Sequence, residues 1–172
     1  VINTSWSGTI CETWTSREAL AADPDMQVLL DKYPKFQPGQ PNQSCALYNG
    51  MIHPLVPYGL RGAIWYQGES NAGKPIEYRT LYAEMIKDWR KRWGHDFSFY
   101  CVQLAPWDPN NSKSDNWAYL REAQAIAKNR AVARARLEPD IEDVGLLSEG
   151  CAAALAAARA RRNEGGRFAQ KP

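Results

Sequence analysis

Four apolar residues, Ala63-Ile64-Trp65-Tyr66, stand between Gly62 and the polar stretch Gln67-Gly68-Glu69-Ser70-Asn71. A short apolar run bounded by glycine suits a strand buried on both faces, as in a parallel sheet. Residues 76–93 then carry Tyr78, Leu81, Tyr82, Met85, Ile86, Trp89 and Trp93 at three- and four-residue spacing. Glu77, Glu84, Lys87, Arg90 and Lys91 cover the other side, which is the pattern of an amphipathic helix. Gly94 is placed to end it. Residues 97–104 read as a further strand, closed by Ala105-Pro106. A strand, a helix and a strand in that order demand a crossover connection, so this segment commits the chain to an α/β architecture.

The flanking sequence extends the pattern. Residues 1–5 read as a strand running into the polar loop Trp6-Ser7-Gly8-Thr9. Ser16 is a cap for a short helix over residues 17–22, which Pro24 is expected to close. A second helical stretch over 26–33 is stopped by Pro34, and residues 34–46 form a loop rich in proline and amides. Ser114 and Asp115 offer caps for a last helix reaching about Asn129. The whole order predicts a parallel sheet layered between helices. Ligands in such sheets bind beyond the carboxyl ends of the strands. Three polar loops stand there: residues 6–9, residues 67–71, and Trp107-Asp108-Pro109-Asn110-Asn111.

Residues 67–71 are the most informative of these, because packing alone gives little reason for so polar a stretch directly after a buried strand. Gln67 supplies two amide donors, the kind of group that stabilises a developing oxyanion. Gly68 lets the backbone turn or approach a ligand closely, and Glu69 is suited to orient a base or hold a neighbouring loop. An ordinary turn capped by Ser70 or Asn71 is the alternative. Gly8 offers a backbone N–H that joins Gln67 as a second oxyanion donor if the two strand ends are neighbours. Trp6, Trp14 and Trp107 are candidate sugar-stacking surfaces, with core or rim packing as the plainer role.

Residues 68–72 also approximate the G-x-S-x-G nucleophile elbow, with Ser70 as nucleophile, but Ala72 replaces the final glycine. Only His95 follows Ser70, and it lies at a helix end. His53, between apolar neighbours, reads as a structural histidine.

Composition excludes several classes. The chain of 172 residues has a net charge of +2, with no basic stripe of the kind that marks nucleic-acid binders. No apolar run approaches the roughly 18–20 residues of a membrane span. Neither a Walker A nor a GxGxxG loop occurs. The four cysteines, Cys11, Cys45, Cys101 and Cys151, form no CxxC pair, and with two histidines no metal site is expected. Cys101 reads as a buried small hydrophobe. The spacing leaves a Cys11–Cys45 disulfide open.

Longer segments carry a resemblance. Asn3-Thr4-Ser5-Trp6-Ser7-Gly8-Thr9 with Glu12 and Trp14, the stretch from Leu47 through Tyr48-Asn49-Gly50-Met51-Ile52-His53-Pro54 to Leu55, and Gly62-Ala63-Ile64-Trp65-Tyr66-Gln67-Gly68-Glu69-Ser70-Asn71-Ala72 are similar to the bacterial sialate O-acetylesterase family. Gln103-Leu104-Ala105-Pro106 and Leu120-Arg121-Glu122-Ala123-Gln124 are similar to it as well. The resemblance covers roughly residues 1–129. It implies an SGNH hydrolase: a three-layer α/β/α sandwich of flavodoxin-like type, without cofactor, acting on an acetylated carbohydrate. It further implies Gly8 and Gln67 as oxyanion donors and Glu69 as a supporting residue; Trp6, Asn71 and Trp107 are the substrate contacts expected beside them. A secreted or periplasmic location follows from the same resemblance, while oligomeric state stays open.

The family's nucleophile is a serine in Gly-Gln-Ser-Asn and its base a histidine in Asp-x-x-His. Neither motif occurs here, and Ser7 stands where the family has a second glycine. The expectation is therefore an incomplete esterase core over residues 1–129 that does not turn over by itself. A carbohydrate-binding module without catalysis, or a lipase-like hydrolase using Ser70, are the other readings. Residues 1–129 balance 13 basic against 13 acidic side chains, while residues 130–172 hold 8 and 6, with 11 alanines and one aromatic. This break raises a shift of coding frame near residue 130, against a genuine alanine-rich helix over about 149–162.

Overall fold

The computed structural model describes residues 1–32, 36–107 and 115–132. Six elements organise it: α1 (Arg17–Ala21), α2 (Pro24–Asp31), β1 (Gly62–Trp65), α3 (Pro75–Trp93), β2 (Ser98–Cys101) and α4 (Asn116–Val132). Strands β1 and β2 pair in parallel, Gly62 opposite Ser98 and Trp65 opposite Cys101. Helix α3 makes the crossover between them, and α4 packs alongside α3. This is the parallel α/β arrangement expected from the run 62–104.

Local chemistry explains the boundaries. Ser16 Oγ accepts from the Ala19 N–H and caps α1. Pro24 opens α2 rather than closing α1. It occupies the first turn, where a missing N–H costs nothing, and Asp23 caps it by accepting from Asp25 N. Helix α3 also begins on a proline, Pro75. It ends at Gly94, whose φ of 72° lets its N–H reach back to Arg90 O at 2.9 Å.

The core gathers on one face of the sheet. Trp65 is its centre, ringed by Trp14, Tyr82, Trp89 and Phe99 at centroid separations of 5.7–6.4 Å. Trp14 is thus a core residue and not an exposed stacking platform. The opposite face of the sheet departs from expectation. Ile64, Tyr66, Tyr100 and Val102 are exposed there, so the strands are buried on one face only among the described residues. They build one helical layer on a two-stranded sheet.

Residues 1–5 are not a strand. Val1 and Ile2 are exposed, and no neighbouring strand pairs with them among the described residues. β2 is also shorter than the run 97–104, because pairing with β1 stops at Trp65–Cys101 and one further bond, Val102 N to Trp65 O at 2.8 Å. Cys101 is half-buried, packed against the core rather than enclosed in it. Cys11 and Cys45 are buried free thiols, so no disulfide joins them. The Ser114 cap and the alanine-rich stretch 149–162 lie outside the described residues, as does the tail except where α4 runs into it.

Candidate functional site

Gln67 leaves β1 with its side chain buried, and its amide is completely engaged. Nε2 donates to Thr9 O at 3.0 Å and to Asn71 Oδ1 at 2.7 Å, while Oε1 accepts from the Tyr78 hydroxyl at 3.0 Å. The Gln67 carbonyl accepts from Gln124 Nε2 at 2.9 Å, and Gln124 Oε1 accepts from Leu104 N. One side chain and its backbone thus join the loop after residue 5, the loop after β1, the loop after β2 and helix α4.

Asn71 is the second node. Its Oδ1 accepts from Cys11 N at 2.8 Å as well as from Gln67, and its Nδ2 donates to Glu12 Oε2 at 2.8 Å. It is buried, like Glu12 and Gln67. Thr9 is fixed by its own hydroxyl, which donates to Trp6 O and accepts from Trp14 Nε1. Asn42 holds both sides of the same turn, accepting from Ile10 N and donating to Gly8 O. Buried polar groups are costly unless satisfied. Here each amide satisfies the next, so the loops are mutually dependent.

Glycine geometry makes the turns. Gly8 has φ +70° with open space where a Cβ would stand, so only its backbone conformation calls for glycine. Gly68 has φ +147°, and a Cβ there would meet Gln124 Nε2, Leu104 Cδ1 and Leu120 Cδ2, each at 3.2 Å. Its lack of a side chain lets α4 close over the loop after β1.

The side chains of the remaining expected site residues make no hydrogen bond to this hub among the described residues. Glu69 and Ser70 are exposed in the single turn Glu69–Asn71. Trp6 is exposed beside the Gly8 turn. Trp107 is exposed and leans on Trp117 with ring centroids 4.9 Å apart, whereas residues 108–111 of its loop lie outside the described residues. No histidine contacts Ser70 among the described residues. His95 is bound by its two ring nitrogens to Trp93 O and Leu60 O, and His53 is exposed, edge-on to Tyr48. The described residues hold no cluster of His, Cys, Asp or Glu able to ligate a metal. None of their helices is long and apolar enough to cross a membrane.

Burial moves the ionisable groups within the core. It holds the Tyr78 hydroxyl protonated well above the ordinary tyrosine range, which keeps it a donor to Gln67 Oε1. The neighbouring Cys11 thiol is likewise pushed up, chiefly by burial and then by the Glu12 carboxylate.

Tyr78, Thr9, Glu12 and Gln124 are network members that the sequence did not single out as site residues. Tyr78 reads there as part of an apolar stripe; its hydroxyl gave no separate signal. Gln124 stood in one of the similar segments without an assigned role.

Fold and loops together define an α/β protein whose polar loops cluster where its parallel strands end. No family model matches the chain. Curated proteins do. It is similar to sialate O-acetylesterase of Homo sapiens and of Pongo abelii, each 32% identical over 130 residues, covering 70% of this chain and 24% of each relative. Sialate O-acetylesterase of Mus musculus is 29% identical over 154 residues, covering 70% of this chain and 28% of the relative. The chain belongs to the sialate O-acetylesterase family, a family of carbohydrate esterases, and spans about a quarter of the length of these relatives.

Proposed function

We propose that this chain supplies the oxyanion side and sugar-facing loops of a carbohydrate O-acetylesterase with an SGNH-type serine–histidine mechanism. The carrying observation is that Gln67 joins the Gly8–Thr9 turn to the loop after β1. In this reading a serine attacks the acetyl carbonyl, and a histidine takes its proton and returns it to the departing sugar hydroxyl. The nucleophile and base belong to the family's Gly-Gln-Ser-Asn and Asp-x-x-His motifs, which these 172 residues do not contain. Hydrolysis is therefore assigned to the whole protein and not to this segment.

The Gly8 N–H is the oxyanion donor of this reading. Gln67 holds that N–H in place through the Thr9 carbonyl; direct donation by Gln67 requires exchange of one of its two present bonds. Glu69 supports the site from its exposed turn. Trp6 and Trp107 offer apolar ring faces to a sugar, and Asn71 braces the Cys11–Glu12 segment through its buried amide.

The test is acetate release from an O-acetylated sialic acid by the full product of the reading frame containing this chain. Release that falls with Gln67→Leu agrees with the proposal. Release that depends on Ser70 instead contradicts it, and points to the lipase-like mechanism.

A further inference from the structure

A cavity of about 350 Å³ opens beside the Gln67–Asn71 hub, lined by Ile10, Glu12, Leu29, Lys32, Ser44, Ser70, Asn71, Gly73 and Lys74. Its volume falls in the range of roughly 300–1,000 Å³ usual for small-molecule sites. Glu12 is the notable member. Its residue surface is only 8% exposed, and Oε2 is committed to Asn71 Nδ2. Oε1 has no partner among the described residues, yet it is not one of the unpartnered atoms sealed within protein. A largely buried carboxylate with one oxygen left open to a cavity is a ready acceptor.

The surroundings narrow the ligand. Lys32 and Lys74 on the lining oppose a bare cation. Glu12 itself opposes a bare anion. A hydroxyl group meets both demands, because it donates to the carboxylate while accepting from an ammonium. Ser44 and Ser70 add two more groups that donate and accept, and Ile10 and Leu29 give apolar wall for a ring face.

We infer that this cavity is a second sugar-binding subsite, in which Glu12 Oε1 accepts from ring hydroxyls and Lys74 donates to them. It rests on the carbohydrate reading above. It places sugar recognition on the far side of Asn71 from Gln67, so one side chain braces both sites. A polyhydroxylated chain substrate would then be gripped away from the acetyl group that reacts.

The experiment follows backbone amide shifts of the full 172-residue chain on titration with xylotriose and with N-acetylneuraminic acid. Ammonium chloride and sodium acetate serve as ionic controls. The variants are Glu12→Gln and Gly73→Leu. Gly73 lines the cavity and has open space where a Cβ would stand, so leucine is the substitution chosen to fill it, with an unchanged melting temperature as the check that the fold is kept. Sugar-dependent shifts at Ile10, Ser44, Ser70 and Gly73 are expected. They disappear in Gly73→Leu and need about tenfold more sugar in Glu12→Gln, the loss of one charge-assisted hydrogen bond. Sugar shifts confined to Trp6 and Trp107 and indifferent to Gly73→Leu overturn the subsite while leaving the esterase reading intact. Saturation of the same amides by acetate or ammonium, without sugar, overturns it in favour of an ion site. No shift with either sugar overturns it as well. Acetate release by the full reading-frame product then shows separately whether the esterase reading stands.

Discussion

The amide nitrogen of Gln67 lies 2.7 Å from the side-chain oxygen of Asn71. Through that bond a residue just beyond β1 is tied to the residue that closes the following turn. Asn71 passes the constraint to Cys11 N and Glu12, so the loop following residue 5 is held by side chains some sixty positions away. No metal or disulfide is involved among the described residues. The site's geometry rests on side-chain amides together with the Glu12 carboxylate and the Thr9 and Tyr78 hydroxyls.

Asn71→Ala removes two acceptor contacts and one donor contact at once. Cys11 N and Glu12 Oε2 lose their partner in a buried place, and the expected cost is about 2–4 kcal/mol. Asn71→Asp keeps an acceptor for Cys11 N and Gln67 but sets a second carboxylate against Glu12. Urea denaturation should rank wild type above both variants. Asn71→Asp should recover part of its loss at low pH, where one carboxylate of the pair is protonated.

Gly68→Ala and Gly8→Ala separate backbone strain from crowding. Both positions have positive φ, but only Gly68 has neighbours at 3.2 Å. Gly8→Ala should cost about 1 kcal/mol from conformation alone. Gly68→Ala adds displacement of Leu104, Leu120 and Gln124, and should cost about 2–3 kcal/mol. Equal losses in thermal denaturation would refute the crowding argument.

Asp88 is the buried anchor between α3 and α1. Its Oδ2 accepts from Ser16 N, and its Oδ1 accepts from Arg92 Nε at 3.2 Å, while Arg92 Nη2 reaches Ser16 Oγ and Glu18. Asp88→Ala leaves the Ser16 N–H unpaired in the core and should lower stability by about 2–3 kcal/mol. Glu18→Ala, at the exposed end of the same chain of bonds, should lower it by less than about 1 kcal/mol.

Alkaline pH should unfold the chain earlier than its net charge suggests. Burial raises the Cys45 thiol to about 12 and the Tyr48 hydroxyl to about 12, and raises Cys11, Tyr78 and Tyr82 as well. In the unfolded chain these groups ionise near 9 for cysteine and 10 for tyrosine. The native state therefore binds more protons above pH 9, and stability is full below that pH and lost as pH rises toward 12. Melting temperatures recorded between pH 7 and 11 should fall steadily above pH 9. Cys45→Ser and Tyr48→Phe should each flatten that fall.

Much of the fold was legible because it is locally encoded. The stripe from Tyr78 to Trp89 is a helix face, Gly94 is its cap, and the two apolar runs are parallel strands. Residues 1–5 misled because strand propensity is a preference for a pleated neighbour, and no neighbour pairs with them among the described residues. Ile64 and Tyr100 misled for a related reason: an apolar run shows that both faces can be covered, not that both are. Pro24 could be read as a stop or a start, and the Asp23 cap decides for a start. The site was half legible. The polarity of residues 67–71 pointed to the loop that carries Gln67 and Asn71, but the pairing of Gln67 with Tyr78 and Asn71 with Glu12 depends on long-range packing that residue spacing does not carry.

The central claim is that Gln67 organises the oxyanion side of a carbohydrate esterase. The most direct measurement is kcat for acetate release from 9-O-acetyl-N-acetylneuraminic acid by the full reading-frame product, wild type against Gln67→Leu, with folding verified by circular dichroism. The account predicts a fall of about 10²–10³ in kcat with little change in KM. A folded Gln67→Leu variant with undiminished kcat would contradict it.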